Sequence, residues 1–203
     1  MISFFADGGV EDLATLGGKG LQLARMARGG LPVPDGFIIH TGAYREFVAA
    51  HESSPRIATI LSRLSPDDVS ALEEASGTIR SWFRESPLAA PASQAIADAY
   101  ERLGNIPVAV RSSATTEDLP DASFAGQHDT FLDILGSGAL LDAVRNCWAS
   151  LWTARAISYR LRQGVAQEPT ELAIAVVVQT MVEAETAGVL FTANPLDGRR
   201  DRI

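Results

Sequence analysis

The sequence is short of cysteine and of positive charge, and each shortage excludes a class of protein. Cys147 is the one cysteine among 203 residues, so no disulfide can form within the chain. A reducing cytoplasm is therefore the predicted location. Acidic residues outnumber lysines and arginines by 25 to 17, which gives a net charge of -8. A broad basic face for nucleic acid or an anionic membrane is not expected, and any phosphate site must be local.

Long apolar runs, a leader segment and metal-ligand spacing are missing as well. No stretch approaches the roughly 20 apolar residues that cross a bilayer, and no basic segment followed by a long apolar run opens the chain. The three histidines and the single cysteine show no spacing typical of zinc. Because 46% of the residues are hydrophobic, a buried core is expected. The sequence predicts a globular protein that neither enters a membrane nor binds nucleic acid.

The order of apolar patterns predicts an α+β fold. Short apolar runs predict strands at residues 2–5, 37–39, 108–110, 130–134 and 172–181. The last of these is apolar almost throughout, as in a strand covered on both faces, and the run at 188–192 is its predicted partner. A helix is expected at 17–28, and a helical insert over about 57–103.

The helices predicted after residue 134 carry four arginines. These are Arg145, Arg155, Arg160 and Arg162. They lie at intervals along the polar side of two amphipathic helices, which indicates a solvated face rather than a binding patch.

The segment Gly17-Gly18-Lys19-Gly20 surrounds one lysine with glycines at the mouth of a predicted helix. Free backbone N–H groups and the positive end of the helix dipole favour an anion there, and Lys19 would add a mobile charge. The spacing is not that of a Walker A loop. A plain glycine turn with an exposed lysine explains the same residues, so both interpretations stay open.

Arg111 follows the apolar strand at 108–110 and opens a segment rich in hydroxyls, Ser112-Ser113-Ala114-Thr115-Thr116. A strand end would hold the planar guanidinium rigidly, in the geometry that suits phosphate oxygens. Alternatively, the hydroxyls satisfy turn amides while Arg111 pairs with Glu117 or Asp118. The residues alone do not decide between the two.

The next loop and a later strand supply three further candidates. Backbone amides at Gly126 and the hydroxyl of Thr130 could approach a triphosphate, although a glycine-containing hairpin loop is the alternative. His128 is assigned a structural or surface role rather than that of a general base. Gln179 interrupts the apolar run with one amide, which could read a nucleotide or could simply bond a neighbouring loop.

Five motifs in this order resemble the N-terminal ATP-binding domain of the phosphoenolpyruvate synthase and pyruvate phosphate dikinase family. They occupy residues 17–20, 31–37, 110–118, 123–127 and 188–192. The resemblance extends from about Leu16 to Pro195. Within the family, the side chains at 126–132 and 147–153 are most similar to those of rifamycin phosphotransferases.

The resemblance implies that residues 1–203 form the first part of an ATP-grasp-like nucleotide-binding domain, with the helical insert at about 57–103. It implies that Lys19 and Arg111 contact the phosphates of ATP, Arg111 as the catalytic charge. It further implies that Gly126 and Thr130 belong to the phosphate-covering loop and that Gln179 contacts the nucleotide.

The resemblance also implies the reaction. ATP would pass a phosphoryl or pyrophosphoryl group to a histidine on a separate swivelling domain, and from there to an acceptor, expected to be a rifamycin antibiotic. The alternatives are pyruvate as acceptor, or a nucleotide-binding module without catalysis. Because the Mg²⁺ ligands, the second half of the ATP domain and the phosphohistidine are expected downstream of Ile203, this chain alone is expected to turn over poorly or not at all.

Overall fold

A computed structural model describes residues 1–7, 9, 11–51, 53–115, 129–164, 167–169, 171–191, 193–194 and 198–200. The strands are β1 (Ile2–Phe4), β2 (Gly36–Ile39), β3 (Val108–Ala114), β4 (Thr130–Ile134) and β5 (Ile174–Thr180). The helices are α1 (Leu13–Arg28), α2 (Thr41–Ala50), α3 (Ser53–Leu61), α4 (Val69–Glu85), α5 (Ala90–Arg102), α6 (Ser137–Ala149) and α7 (Ala154–Arg162). A short 3-10 helix, Ser150–Trp152, joins α6 to α7.

The strands form one sheet in the order β1-β2-β5-β3-β4, with every neighbouring pair antiparallel. The central strand is β5, whose side chains from Ile174 to Val178 are fully buried. A continuous apolar run is what a strand covered on both faces requires, so the prediction of a doubly covered strand is confirmed.

Helices cover both faces of this sheet. One face packs against α2 to α7 through Phe37, Val110, Val176 and the aromatic side chains of the helices. The other face packs against α1 through a smaller cluster of Leu16, Leu21, Ile38, Ala175 and Val177. Alternate residues of each strand serve the two layers, as the pleat requires. The predicted α+β class is confirmed.

The prediction that 188–192 is the partner strand of β5 is wrong for the residues that are described. β5 pairs with β2 on one side and with β3 on the other, so both of its edges are already used. Residues 188–191 carry no strand pairing, and Val189 and Leu190 are 81% and 78% exposed. Thr192 lies outside the described residues.

The assignment of four arginines to a solvated face fails for Arg160, which is only 2% exposed. Its Nη2 donates to the carbonyl oxygen of Leu151 at 2.8 Å, and its guanidinium lies over the Trp152 ring. Arg155 and Arg162 are exposed and Arg145 is half-buried. Arg160 is buried because it lies four residues after Ala156, on the inward face of α7.

Candidate functional site

The strand β3 is longer than predicted and carries Arg111 inside the sheet rather than at its end. Val108 and Val110 face the large helical layer, so Arg111 and Ser113 face α1. Arg111 lies opposite Thr130 of β4 and opposite Val177 of β5. Directly paired residues share a face of the sheet, and Thr130 therefore lies beside Arg111 on the α1 side.

Gln179 belongs to the same face. It lies opposite Ala109, two residues along β5 from the partner of Arg111. Diagonal neighbours of this kind are about 7–8 Å apart, within reach of long side chains. The sheet thus places Arg111, Thr130 and Gln179 together on the face that α1 covers.

The segment Gly17-Gly18-Lys19-Gly20, here called the glycine turn, interrupts α1 instead of starting it. The helix begins at Leu13, where the side chain of Asp12 accepts from the N–H of Ala14 at 3.0 Å. Gly17 then takes φ 66° and ψ 171°, which breaks the helix in two. The second segment restarts at Gly18, so its positive end lies at the turn that carries Lys19.

This turn is attached to β3 through one side chain. The hydroxyl of Ser113, which is fully buried, donates to the carbonyl oxygen of Leu16 at 2.9 Å. The hydroxyl oxygen of Ser113 also accepts from the N–H of Gly20 at 3.0 Å. The glycine turn is therefore held against the strand that carries Arg111.

Arg111 is half-buried, and its Nε is a buried donor without a hydrogen-bond acceptor among the described residues. The Nε atoms of Arg80, Arg145 and Arg160 are unpaired in the same way, so what distinguishes Arg111 is its place beside the glycine turn. A phosphate oxygen is one acceptor that a guanidinium N–H can bond there. The alternative partners, Glu117 and Asp118, lie outside the described residues, so that interpretation stays open.

The remaining predicted residues divide into three cases. Gln179 is half-buried and its Nε2 donates to the carbonyl oxygen of Pro34 at 3.2 Å, so it bonds a neighbouring loop, as one of its two interpretations predicts. Thr130 is exposed. Gly126 and His128 lie outside the described residues.

Cys147 and Asp129 lie on the other side of the sheet from this site. Cys147 is completely buried, and burial, followed by the charge of Asp129, raises the pKa of its thiol. The thiol therefore stays protonated and is a poor nucleophile, as its apolar setting in the sequence predicts. The carboxylate of Asp129 pairs with Arg80 at 3.7 Å.

A metal centre is not formed by the part of the chain that is described. No cluster of three or more His, Cys, Asp or Glu side chains is placed there to hold an ion. Within the same residues, no helix is both long and apolar enough to cross a bilayer.

Sequence reasoning missed the function of Ser113 in this arrangement. Ser113 and Gly20 are 93 positions apart, and no local pattern reveals such a contact. The repeated glycines were the one signal in the sequence. They permit the close approach of another backbone segment but do not indicate which segment it is.

A sheet face that gathers an arginine, a glycine turn and a helix N-terminus defines an α+β nucleotide-binding domain. The chain matches the family described as pyruvate phosphate dikinase, AMP/ATP-binding domain, over residues 13–203. It belongs to this family.

Several curated relatives are phosphoenolpyruvate synthases. The protein from Aeropyrum pernix is 43% identical over 201 residues, covering 94% of this chain and 24% of its own length. The probable phosphoenolpyruvate synthase of Methanothermobacter thermautotrophicus is 41% identical over 208 residues, covering 100% of this chain and 30% of its own length. The phosphoenolpyruvate synthase of Pyrococcus furiosus is 37% identical over 240 residues, covering 100% of this chain and 29% of its own length. The chain spans less than a third of the length of these relatives.

Proposed function

We propose that this chain is the first part of the ATP-binding domain of a dikinase-type phosphotransferase with pyruvate as acceptor. The domain would be ATP-grasp-like, with α3 to α5 as its helical insert. A histidine elsewhere in the whole protein would receive the phosphoryl or pyrophosphoryl group of ATP. With a pyrophosphoryl group, AMP leaves, one phosphate then passes to water, and the remaining phosphoryl group is carried to the acceptor.

The observation that supports this proposal most directly is the buried Nε of Arg111, which has no acceptor among the described residues. It lies on the same sheet face as Thr130, Gln179 and the restarted N-terminus of α1. A guanidinium donor without an acceptor, beside the N-terminus of a helix segment, is an arrangement that suits a polyphosphate.

In the proposed reaction the protein contributes position and charge. Arg111 would donate to a phosphate oxygen from a rigid strand, and Lys19 would place a second positive charge over the same chain of phosphates. Both contacts would strengthen as negative charge develops on the leaving oxygens, which is how most phosphotransferases lower the barrier. Gly126 and Thr130 would cover the phosphates, and Gln179 would contact the nucleotide. Mg²⁺, if required, would be held by residues other than those described.

The choice of pyruvate rests on the relatives. Their printed names describe phosphoenolpyruvate synthases, so they favour the alternative acceptor over a rifamycin antibiotic. No described contact favours a rifamycin, whose binding residues would have to lie elsewhere.

Titration calorimetry with ATP tests the nucleotide site. We expect Arg111→Ala to weaken ATP binding by about 10- to 100-fold, because a hydrogen bond to a charged group contributes about 1.5–3 kcal/mol. Arg84→Ala is the matched control, since Arg84 is exposed on α4 and bonds Asn146 on the other side of the sheet. The binding is measured in the full-length protein. An unchanged affinity in Arg111→Ala would remove Arg111 from the site, and no ATP binding by the wild-type full-length protein would end the proposal.

The acceptor is tested in the full-length protein. ATP would be incubated with pyruvate or with a rifamycin, and AMP release and the phosphorylated acceptor would be measured. Pyruvate-dependent formation of phosphoenolpyruvate is the expected result. Turnover with a rifamycin alone would reverse the choice of acceptor, and ATP binding without either reaction would identify a nucleotide-binding module.

A further inference from the structure

The break in α1 leaves two backbone groups without partners in the helix. A helix end has free carbonyls and a helix start has free N–H groups, and at Gly17 one segment ends where the next begins. The carbonyl of Leu16 and the N–H of Gly20 are such groups, and both are bonded by the hydroxyl of Ser113. A hydroxyl can donate to the first and accept from the second with a single atom.

The turn and the strand approach each other too closely for any side chain at Gly17. A Cβ there would lie 2.1 Å from the carbonyl oxygen of Ser113 and 2.4 Å from its Oγ. The left-handed φ of 66° at Gly17 is a second reason why glycine stands there. The contact between turn and strand is therefore fixed by the backbone as well as by the hydroxyl.

Arg111 stands two residues before Ser113 on the same face of β3, a separation of about 6.5–7 Å along the strand. Lys19 lies between Gly18 and Gly20, whose N–H bonds Ser113. One buried serine therefore connects the segment that carries Lys19 to the strand that carries Arg111.

We propose that Ser113 is a positioning residue for the phosphates of the nucleotide. It holds the glycine turn at a fixed place beside Arg111, so that the Lys19 side chain, the N-terminus of the restarted helix and the guanidinium face the same phosphate chain. This inference rests on the proposed ATP site and adds to it a residue that does not itself touch the nucleotide.

The experiment uses Ser113→Ala, with Ser112→Ala as the matched control. Ser112 is the adjacent residue of the same strand, but its hydroxyl faces the other layer and makes a long 3.4 Å contact to the carbonyl oxygen of Asp129. Binding of ATP and of adenosine would be measured by calorimetry for both variants. Hydrogen exchange at the Gly20 amide would be followed without nucleotide.

We expect Ser113→Ala to weaken ATP binding by about tenfold, as removal of one buried hydrogen-bonding partner does, and to leave adenosine binding unchanged. Exchange of the Gly20 amide should rise by about tenfold or more, since that amide loses its acceptor. Ser112→Ala should alter none of the three. A loss of affinity for ATP but not for adenosine indicates that Ser113 positions groups for the phosphates. A general loss of structure would weaken the binding of both ligands alike.

Each other result overturns the inference. If the wild-type full-length protein binds ATP and Ser113→Ala binds it equally well, Ser113 has no positioning role while the ATP site stands. If the affinities for ATP and for adenosine fall together, Ser113 has only a structural role. If the wild-type full-length protein binds no ATP, the proposed function fails and this inference fails with it. Should Ser113→Ala not fold, Ser113→Cys, which keeps the shape of the side chain but has a larger atom that bonds weakly, is measured against the same criteria.

Discussion

Gly17 is the residue at which the geometry of the candidate site is most sharply constrained. We expect Gly17→Ala to lower the free energy of unfolding by about 3 kcal/mol, because a Cβ adds backbone strain and overlaps a strand that cannot move away. The overlapped atom is the carbonyl oxygen of Ser113. Urea denaturation measures the change.

Gly77 is the matched control for that substitution. It lies exposed within α4, and a Cβ there meets nothing within 4 Å. Gly77→Ala should therefore raise the free energy of unfolding by about 0.5–1 kcal/mol, the ordinary advantage of alanine in a helix. Equal destabilisation by both substitutions would contradict the close approach at Gly17.

His40 gives the molecule a dependence on pH. Its Nε2 lies 2.8 Å from the hydroxyl of Ser3, and burial, followed by the positive N-terminus, lowers its pKa below the ordinary 6.5. The folded state therefore favours neutral imidazole. The unfolded chain binds the proton more readily, so this stability is present above about pH 6.5 and is lost as the pH falls through the lowered pKa.

The matched variant is His40→Gln, which keeps a polar group beside Ser3 but does not titrate. Urea denaturation at pH 7.5 and pH 5 should show a smaller loss of stability for His40→Gln than for the wild-type protein. An identical loss in both proteins would assign the acid sensitivity to other groups.

The helix α7 offers two arginines in contrasting surroundings. Burial lowers the pKa of Arg160 to about 10, partly opposed by Tyr44, while its Nη2 bonds the carbonyl oxygen of Leu151. Arg160→Ala should lower the free energy of unfolding by about 3 kcal/mol, because it leaves a cavity and a buried carbonyl without a donor.

Arg162 is the control on the same helix. It is 60% exposed and pairs with Asp67, which is 83% exposed, at 3.0 Å. Exposed ion pairs contribute little, so Arg162→Ala should change the free energy of unfolding by less than about 1 kcal/mol. Two substitutions of equal effect in urea denaturation would mean that the burial of Arg160 contributes nothing.

The elements that sequence reasoning predicted correctly are those defined by local pattern. β2 and β5 are short, apolar runs bounded by turn residues, and α1 ends at its glycines. The run at 188–191 has the same local character but no partner in the described sheet, because pairing is decided by distant residues. Arg160 was misassigned from its charge, although its spacing from Ala156 indicates the buried face.

In the candidate site, too, local sequence pattern predicts the residue types, while distant contacts in the whole molecule decide how those residues are arranged. Residue type and motif order predict Arg111 and Lys19 as site residues, and residue type alone predicts Gln179. That Arg111 and Gln179 share a face depends on the register of β3 against β5, which pairs Arg111 with Val177. Register joins segments more than 60 positions apart in the sequence, and only the assembled sheet reveals it.

A run of three exposed apolar residues near the end of the described chain predicts how the molecule behaves in solution. Val189, Leu190 and Phe191 are consecutive and 81%, 78% and 55% exposed. Contiguous apolar surface of this kind promotes association, so the 203-residue chain should show light scattering that rises with concentration.

Leu190→Lys should reduce the scattering without lowering the free energy of unfolding, because Leu190 contributes little to the core. Leu31→Lys is the control, since Leu31 is 56% exposed and is more than 150 positions from that run in the sequence. If both lysines reduce scattering equally, net charge rather than the apolar run governs association.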